Sequence, residues 1–174
     1  MLKTFSTYKL LAKKATYIDK VEDWVDWALE MLEYGYEAEH LYILAGLRSP
    51  IERPYLEEVI FKTLKELNLH KISDVEAVNG YAYLLISEAF NEKNSYETTL
   101  KELKELHERF DMYKGLQDFY LLYWALEDLK ETDVQWYWKG ADAGNILNEI
   151  KRVFLEWRRT YIKQNQLPIS MLPF

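Results

Sequence analysis

The chain of 174 residues contains no cysteine, which removes disulfides, thiolate nucleophiles, cysteine-bound zinc and iron–sulfur clusters from consideration. Glycine and proline are scarce, six and four in total, so the many turns of a β-sandwich would lack their usual residues. No run of 18 uncharged residues occurs, and the apolar stretch at 77–87 is bracketed by Glu76 and Glu88, so no membrane span is expected. Near the N-terminus Lys3, Lys9, Lys13 and Lys14 interrupt the apolar residues, leaving no hydrophobic region of signal-peptide length. Cytoplasmic residence is the expectation. Missing as well are Gly-x-Gly-x-x-Gly, the Walker loop, Gly-x-Ser-x-Gly and His-Glu-x-x-His.

What the chain does have is helical periodicity over a composition of 49% hydrophobic and 29% charged residues. Phe5, Tyr8, Leu11, Ala12 and Ala15 recur at helical spacing in a basic first helix. Residues 19–34 open with Asp19 as an N-cap and Glu22 three places on, then place Val21, Trp24, Val25, Ala28, Met31 and Leu32 on one face until Gly35. A short helix follows around Leu41–Leu47, and a third begins near Pro54 with Leu56, Val59, Ile60, Thr63 and Leu64 inward. Ser73 with Glu76 caps a helix reaching Phe90 that is apolar nearly all round from Gly80, and Asn94 and Ser95 cap the next. A second all-round apolar run covers 119–126, and the last helix covers about 144–163. These features predict an all-α fold of about seven to eight antiparallel helices, arranged as a two-layer irregular bundle or a short HEAT-like α–α superhelix. The expected organisation is one domain, 1–166, and an apolar, proline-containing tail, 167–174, that docks or frays.

The strings Glu39-His-Leu-Tyr-Ile-Leu-Ala-Gly-Leu47, Leu64-Lys-Glu-Leu-Asn-Leu69 and Asp118-Phe-Tyr-Leu-Leu-Tyr-Trp-Ala125 resemble uncharacterised all-helical bacterial proteins, some of them counted as toxin-neutralising immunity proteins. The strings consist mainly of packing residues, so the resemblance implies a fold and a class of partner without naming an active site. The likeness to HEAT-like solenoids is one of fold alone, because no repeat of fixed period occurs.

Candidate chemistry is sparse. Glu37 and His40 form a Glu-x-x-His pair that a helix would place on one face, as in di-iron bundles, but the second copy such a site needs is missing. No metal ligand set and no cofactor are therefore assigned, and no catalytic residue either. Asp118 opens the apolar 119–126 helix, where a carboxylate satisfies the helix dipole or serves a ligand pocket. Between two helices, Trp136 and Trp138 fall in one segment, Thr132-Asp-Val-Gln-Trp-Tyr-Trp-Lys-Gly140. They either plug the open end of the helical stack or, with Asp118, form an aromatic pocket or anchor for a ligand.

Charge is the most uneven property. The net charge is −7, and residues 19–39 carry eight acids against Lys20 alone, so the remainder balances. At about 100° per residue, Asp19, Asp23, Asp26, Glu30 and Glu33 fall opposite the core face, with Trp27 and Tyr34 at the border of the stripe. Like charges such as Asp19 with Asp23 and Asp26 with Glu30 each cost a helix about 0.2–0.5 kcal/mol. The stripe is either a solvated face or a docking surface for a basic protein partner, such as a nuclease-like toxin, with aromatics as anchors and no nucleic acid as partner. The expected function is a non-enzymatic protein-interaction module. The alternatives are a small-ligand binder or enzyme near Trp136 and Trp138, and a self-associating scaffold in which the basic C-terminal helix meets the acidic stripe of a second copy.

Overall fold

A computed structural model describes residues 5–165; the tail expected at 167–174 lies outside them. The described residues form eight α-helices and no strand: α1 (Phe5–Ala15), α2 (Val21–Glu33), α3 (Glu39–Ala45), α4 (Arg53–Glu66), α5 (Asp74–Phe90), α6 (Tyr96–Arg109), α7 (Gln117–Glu131) and α8 (Ile146–Gln164). A single 3-10 turn, Lys114–Leu116, precedes α7. The fold is all-α, as the periodicity predicts. The chain groups into two compact units, Met1–Val78 and Asn79–Phe174.

Helix ends follow from local hydrogen bonding. After α2, Gly35 takes φ +80°, its N–H bonds Leu32 O and the Tyr36 N–H bonds Met31 O, which together satisfy two carbonyls of the last turn. The same pair of bonds closes α1, α4 and α5, but there the left-handed residue is Tyr17, Asn68 or Glu92. At the other ends, Ser95 Oγ accepts the Thr98 N–H and Ser73 Oγ accepts the Glu76 N–H, as the capping residues predict. The start of α2 differs from expectation. Lys20 is its N-cap, and the returning bond runs from the Lys20 N–H to the Asp23 carboxylate, so Asp19 lies outside the helix.

In the first unit α1, α2, α3 and α4 pack in sequence order, each on the next. Trp24, Ala28 and Met31 of α2 meet Leu41 and Leu44 of α3, and Leu56, Val59 and Ile60 of α4, in one core that also takes in Leu10 and Leu11. In the second unit α6 packs on both α7 and α8. Its core includes Leu100 and Leu103, Phe119 and Leu122, and Ile150 and Phe154, with Phe119 edge-on to Phe154 at 5.4 Å. No residue of α5 from position 80 onward is exposed, and none of α7 between 119 and 129. Both stretches are covered, as their all-round apolar sequence requires.

Candidate functional site

The acidic segment is much less free than its sequence implies. Asp19 is buried, with its side chain 1% exposed: Oδ2 accepts the Trp24 Nε1–H at 2.8 Å, and Arg53 donates to both carboxylate oxygens. Burial opposes the charge on Arg53, but Asp19 and Glu57 outweigh it and raise the guanidinium pKa above its ordinary value. Asp19 therefore belongs to a structural network rather than to the solvated stripe. Asp23 is engaged by Lys13 of α1 and by the Lys20 N–H. Trp27, expected at the border of the stripe, is 3% exposed; its Nε1–H donates to Thr7 Oγ1, and its ring meets Trp24 edge-on at 5.9 Å. These placements share one cause. α1 lies over one flank of α2, where it covers Trp27 and brings Lys9 and Lys13 to the groove that holds Asp23, Asp26 and Glu30.

What remains is a narrower acidic face. Asp26 and Glu33 are exposed, Glu30 is half-buried, and none of the three has an ion-pair partner among the described residues. Leu29, three residues after Asp26 and four before Glu33, lies on that face and is 47% exposed. Glu22, seven residues before Leu29, joins it; a hydrogen bond from the Ser49 hydroxyl holds its carboxyl below the usual range. Tyr34 is exposed at the helix end, as expected. Leu29 is a functional candidate that charge and periodicity alone do not single out. Its signal was a leucine at a position the helical period assigns to the wet face.

Around His40 the structure supplies Glu66, not Glu37, as the neighbouring carboxylate. Glu37 precedes α3 and is not helical, whereas Glu66 of α4 accepts the His40 backbone N–H and sits 2.6 Å from His40 Nδ1. Glu39, His40 and Glu66 present ligand atoms within 4.8 Å of one another at the surface. Glu66 acts as a clasp between α3 and α4. Burial pushes its pKa up, but the backbone and ring hydrogen bonds from His40 win, and the carboxyl titrates below its ordinary value of 4.5. Because the folded pKa is the lower one, its stabilisation is present above pH 4.5 and is lost as pH falls through the folded value. Glu66→Gln should therefore flatten the acid limb of a plot of thermal midpoint against pH between 3 and 6, relative to wild type. Parallel limbs would show that the clasp contributes nothing.

In the second unit the structure does not bring Asp118 together with Trp136 and Trp138. Asp118 lies exposed in the first turn of α7, and Trp136 and Trp138 follow the opposite end of that helix, about 20 Å away by the rise per residue. Trp136 is 89% exposed and plugs nothing. Trp138 is half-buried, and its Nε1–H donates to Glu149 of α8; the hydrogen bond from Arg152, joined by this one, holds that carboxyl below the usual range. The turn is braced from within. Gln135 Nε2 donates to the carbonyls of Trp138 and Ala141, while Gln135 Oε1 accepts the Trp138 N–H. Asn145 Nδ2 donates to Gly140 O, and Gly140 takes φ +84°, a conformation that favours glycine. An aromatic groove does occur in this unit, but at the start of α7: Tyr113, Trp157 and Tyr161 line it, with Trp157 Nε1–H donating to Gly115 O.

The basic C-terminal helix is likewise partly committed. Arg152 pairs with Glu149 and Glu156, and Arg158 is buried over the rings of Tyr83 and Phe90. No helix among the described residues is long and apolar enough to cross a membrane. No protein-family model, curated protein or solved structure matches this chain.

Proposed function

We propose that this chain is a non-enzymatic protein-interaction module whose α2 face receives a basic protein partner. One observation carries the reading: Leu29 stands exposed on the same helix face as Glu22, Asp26 and Glu33, while Asp23 of that helix is already paired with Lys13. An apolar knob flanked by carboxylates without an ion-pair partner among the described residues suits a partner presenting lysine or arginine beside an apolar contact. Burial of the knob supplies affinity, and the charges supply on-rate and orientation. The same charges disfavour nucleic acid. The resemblance of three residue strings to uncharacterised all-helical bacterial proteins, some of them counted as toxin-neutralising immunity proteins, supports a toxin as that partner, with the carboxylates taking the place of the phosphates a nuclease-like surface would bind. Self-association through α8 has less support, since Arg152 and Arg158 are already engaged within the second unit.

The test is capture from the native cell lysate at low salt by wild type and by the triple variant Asp26→Asn, Glu30→Gln, Glu33→Gln. A basic protein held by wild type, eluted by raised salt and bound at least tenfold more weakly by the variant is the expected result. Equal retention by a variant that keeps the wild-type thermal midpoint would sink the reading.

A further inference from the structure

Trp136 is 89% exposed, Val134 is 54% and Tyr137 is 43%, all within one turn that Gln135, Asn145 and Gly140 hold in shape. A disordered loop could hide its aromatics by collapsing, but this one is bonded at Gln135 and again at Trp138, so the two rings between them are kept in solvent. That arrangement leaves little to be ordered on binding, which is where flexible loops lose affinity. Tryptophan and tyrosine are also the residues on which interface energy concentrates.

The charges of the turn indicate what the rings receive. Glu131 and Asp133 are exposed, precede Trp136 by five and three positions, and have no ion-pair partner among the described residues. Asp142 Oδ1 accepts the N–H groups of Gly144 and Asn145, and Lys139 is the only cation between 131 and 142. An indole open to solvent, with unpaired carboxylates three and five residues before it in the same segment, is complementary to a guanidinium, which stacks on the ring while donating to an acid. An anionic lipid surface would be repelled by the same acids. We infer that the Trp136 turn is a docking element of its own, and that its occupant is an arginine-bearing segment of a partner protein. The inference uses residues of the second unit only, so it and the α2 reading can fail separately.

The full chain, labelled with ¹⁵N, gives indole N–H signals from its six tryptophans, and loss of a signal in Trp136→Ala assigns the relevant one. The probe is a capped penta-arginine peptide, with capped penta-glutamate and penta-glycine as controls. Penta-arginine should move the Trp136 indole signal saturably while the controls do not. Trp136→Ala should weaken the binding that remains at this turn at least tenfold, as followed by Tyr137 and Lys139 backbone signals. Glu131→Gln with Asp133→Asn should weaken it severalfold, and the thermal midpoint should stay at its wild-type value in every variant because the altered side chains are exposed. The inference is overturned if the peptide moves only α2 signals, in which case the α2 reading survives alone. It is overturned equally if binding at the turn persists undiminished in Trp136→Ala. Movement of the Trp136 signal with anionic vesicles or with protein concentration, in place of the peptide, would also reject it.

Discussion

Trp24→Ala should destabilise the first unit by about 3–5 kcal/mol, the range for truncating a fully buried aromatic. The ring is 0% exposed, packs edge-on against Trp27, and belongs to the cluster that joins α1, α2, α3 and α4. Truncation leaves a cavity and also deprives the buried Asp19 carboxylate of its indole donor. The two effects separate with Trp24→Phe, which keeps most of the apolar volume and removes the donor, so its smaller loss reports the hydrogen bond and the residual void. Urea denaturation followed by circular dichroism measures both. A loss below about 1 kcal/mol for Trp24→Ala would show that the site collapses around the missing ring and that Trp24 does not organise this core.

Phe154→Ala is the corresponding variant of the second unit, again with an expected loss of about 3–5 kcal/mol. Phe154 is 0% exposed and touches Phe119 edge-on at 5.4 Å and Tyr96 at 5.9 Å, so one ring connects α8 to α7 and α6. Because Phe119 and Phe154 share a contact, the double variant Phe119→Ala, Phe154→Ala should lose less than the sum of the two single losses, by about 0.5–1.5 kcal/mol. Strict additivity would mean that the edge-to-face contact adds nothing to the burial of the rings.

The helices themselves were legible because each rests on a repeat within a few residues. Apolar positions three and four apart locate α4 and α6, the apolar runs of α5 and α7 announce coverage on every side, and Ser73 and Ser95 mark starts by a bond that spans three residues. Helix ends were less legible. Gly35 announces its left-handed turn, whereas Tyr17, Asn68 and Glu92 adopt the same conformation without the residue that makes it easy, since the closing hydrogen bonds and the packing beyond them outweigh the local strain.

The candidate sites depended on information of a different range. Helical geometry placed Asp26, Glu30 and Glu33 together, and they do share a flank of α2, because that relation is internal to one helix. Whether a neighbour covers an edge of the helix is a long-range matter. For that reason Trp27 and Asp19 were assigned to the surface when α1 and Arg53 enclose them. His40 shows the same limit, since its partner Glu66 is 26 residues away and on another helix.

By itself, the sequence determined the all-α class, a number of helices near seven or eight and the concentration of negative charge in residues 19–39, all of them properties of composition or of contacts within one turn of helix. Only the tertiary structure decided which of those acids are neutralised within the fold, that Leu29 stands among the rest, and that Trp136 faces water while Trp138 bonds Glu149. The physical reason is that burial and ion pairing depend on distances between segments remote in the chain, and those distances are fixed by how the helices pack.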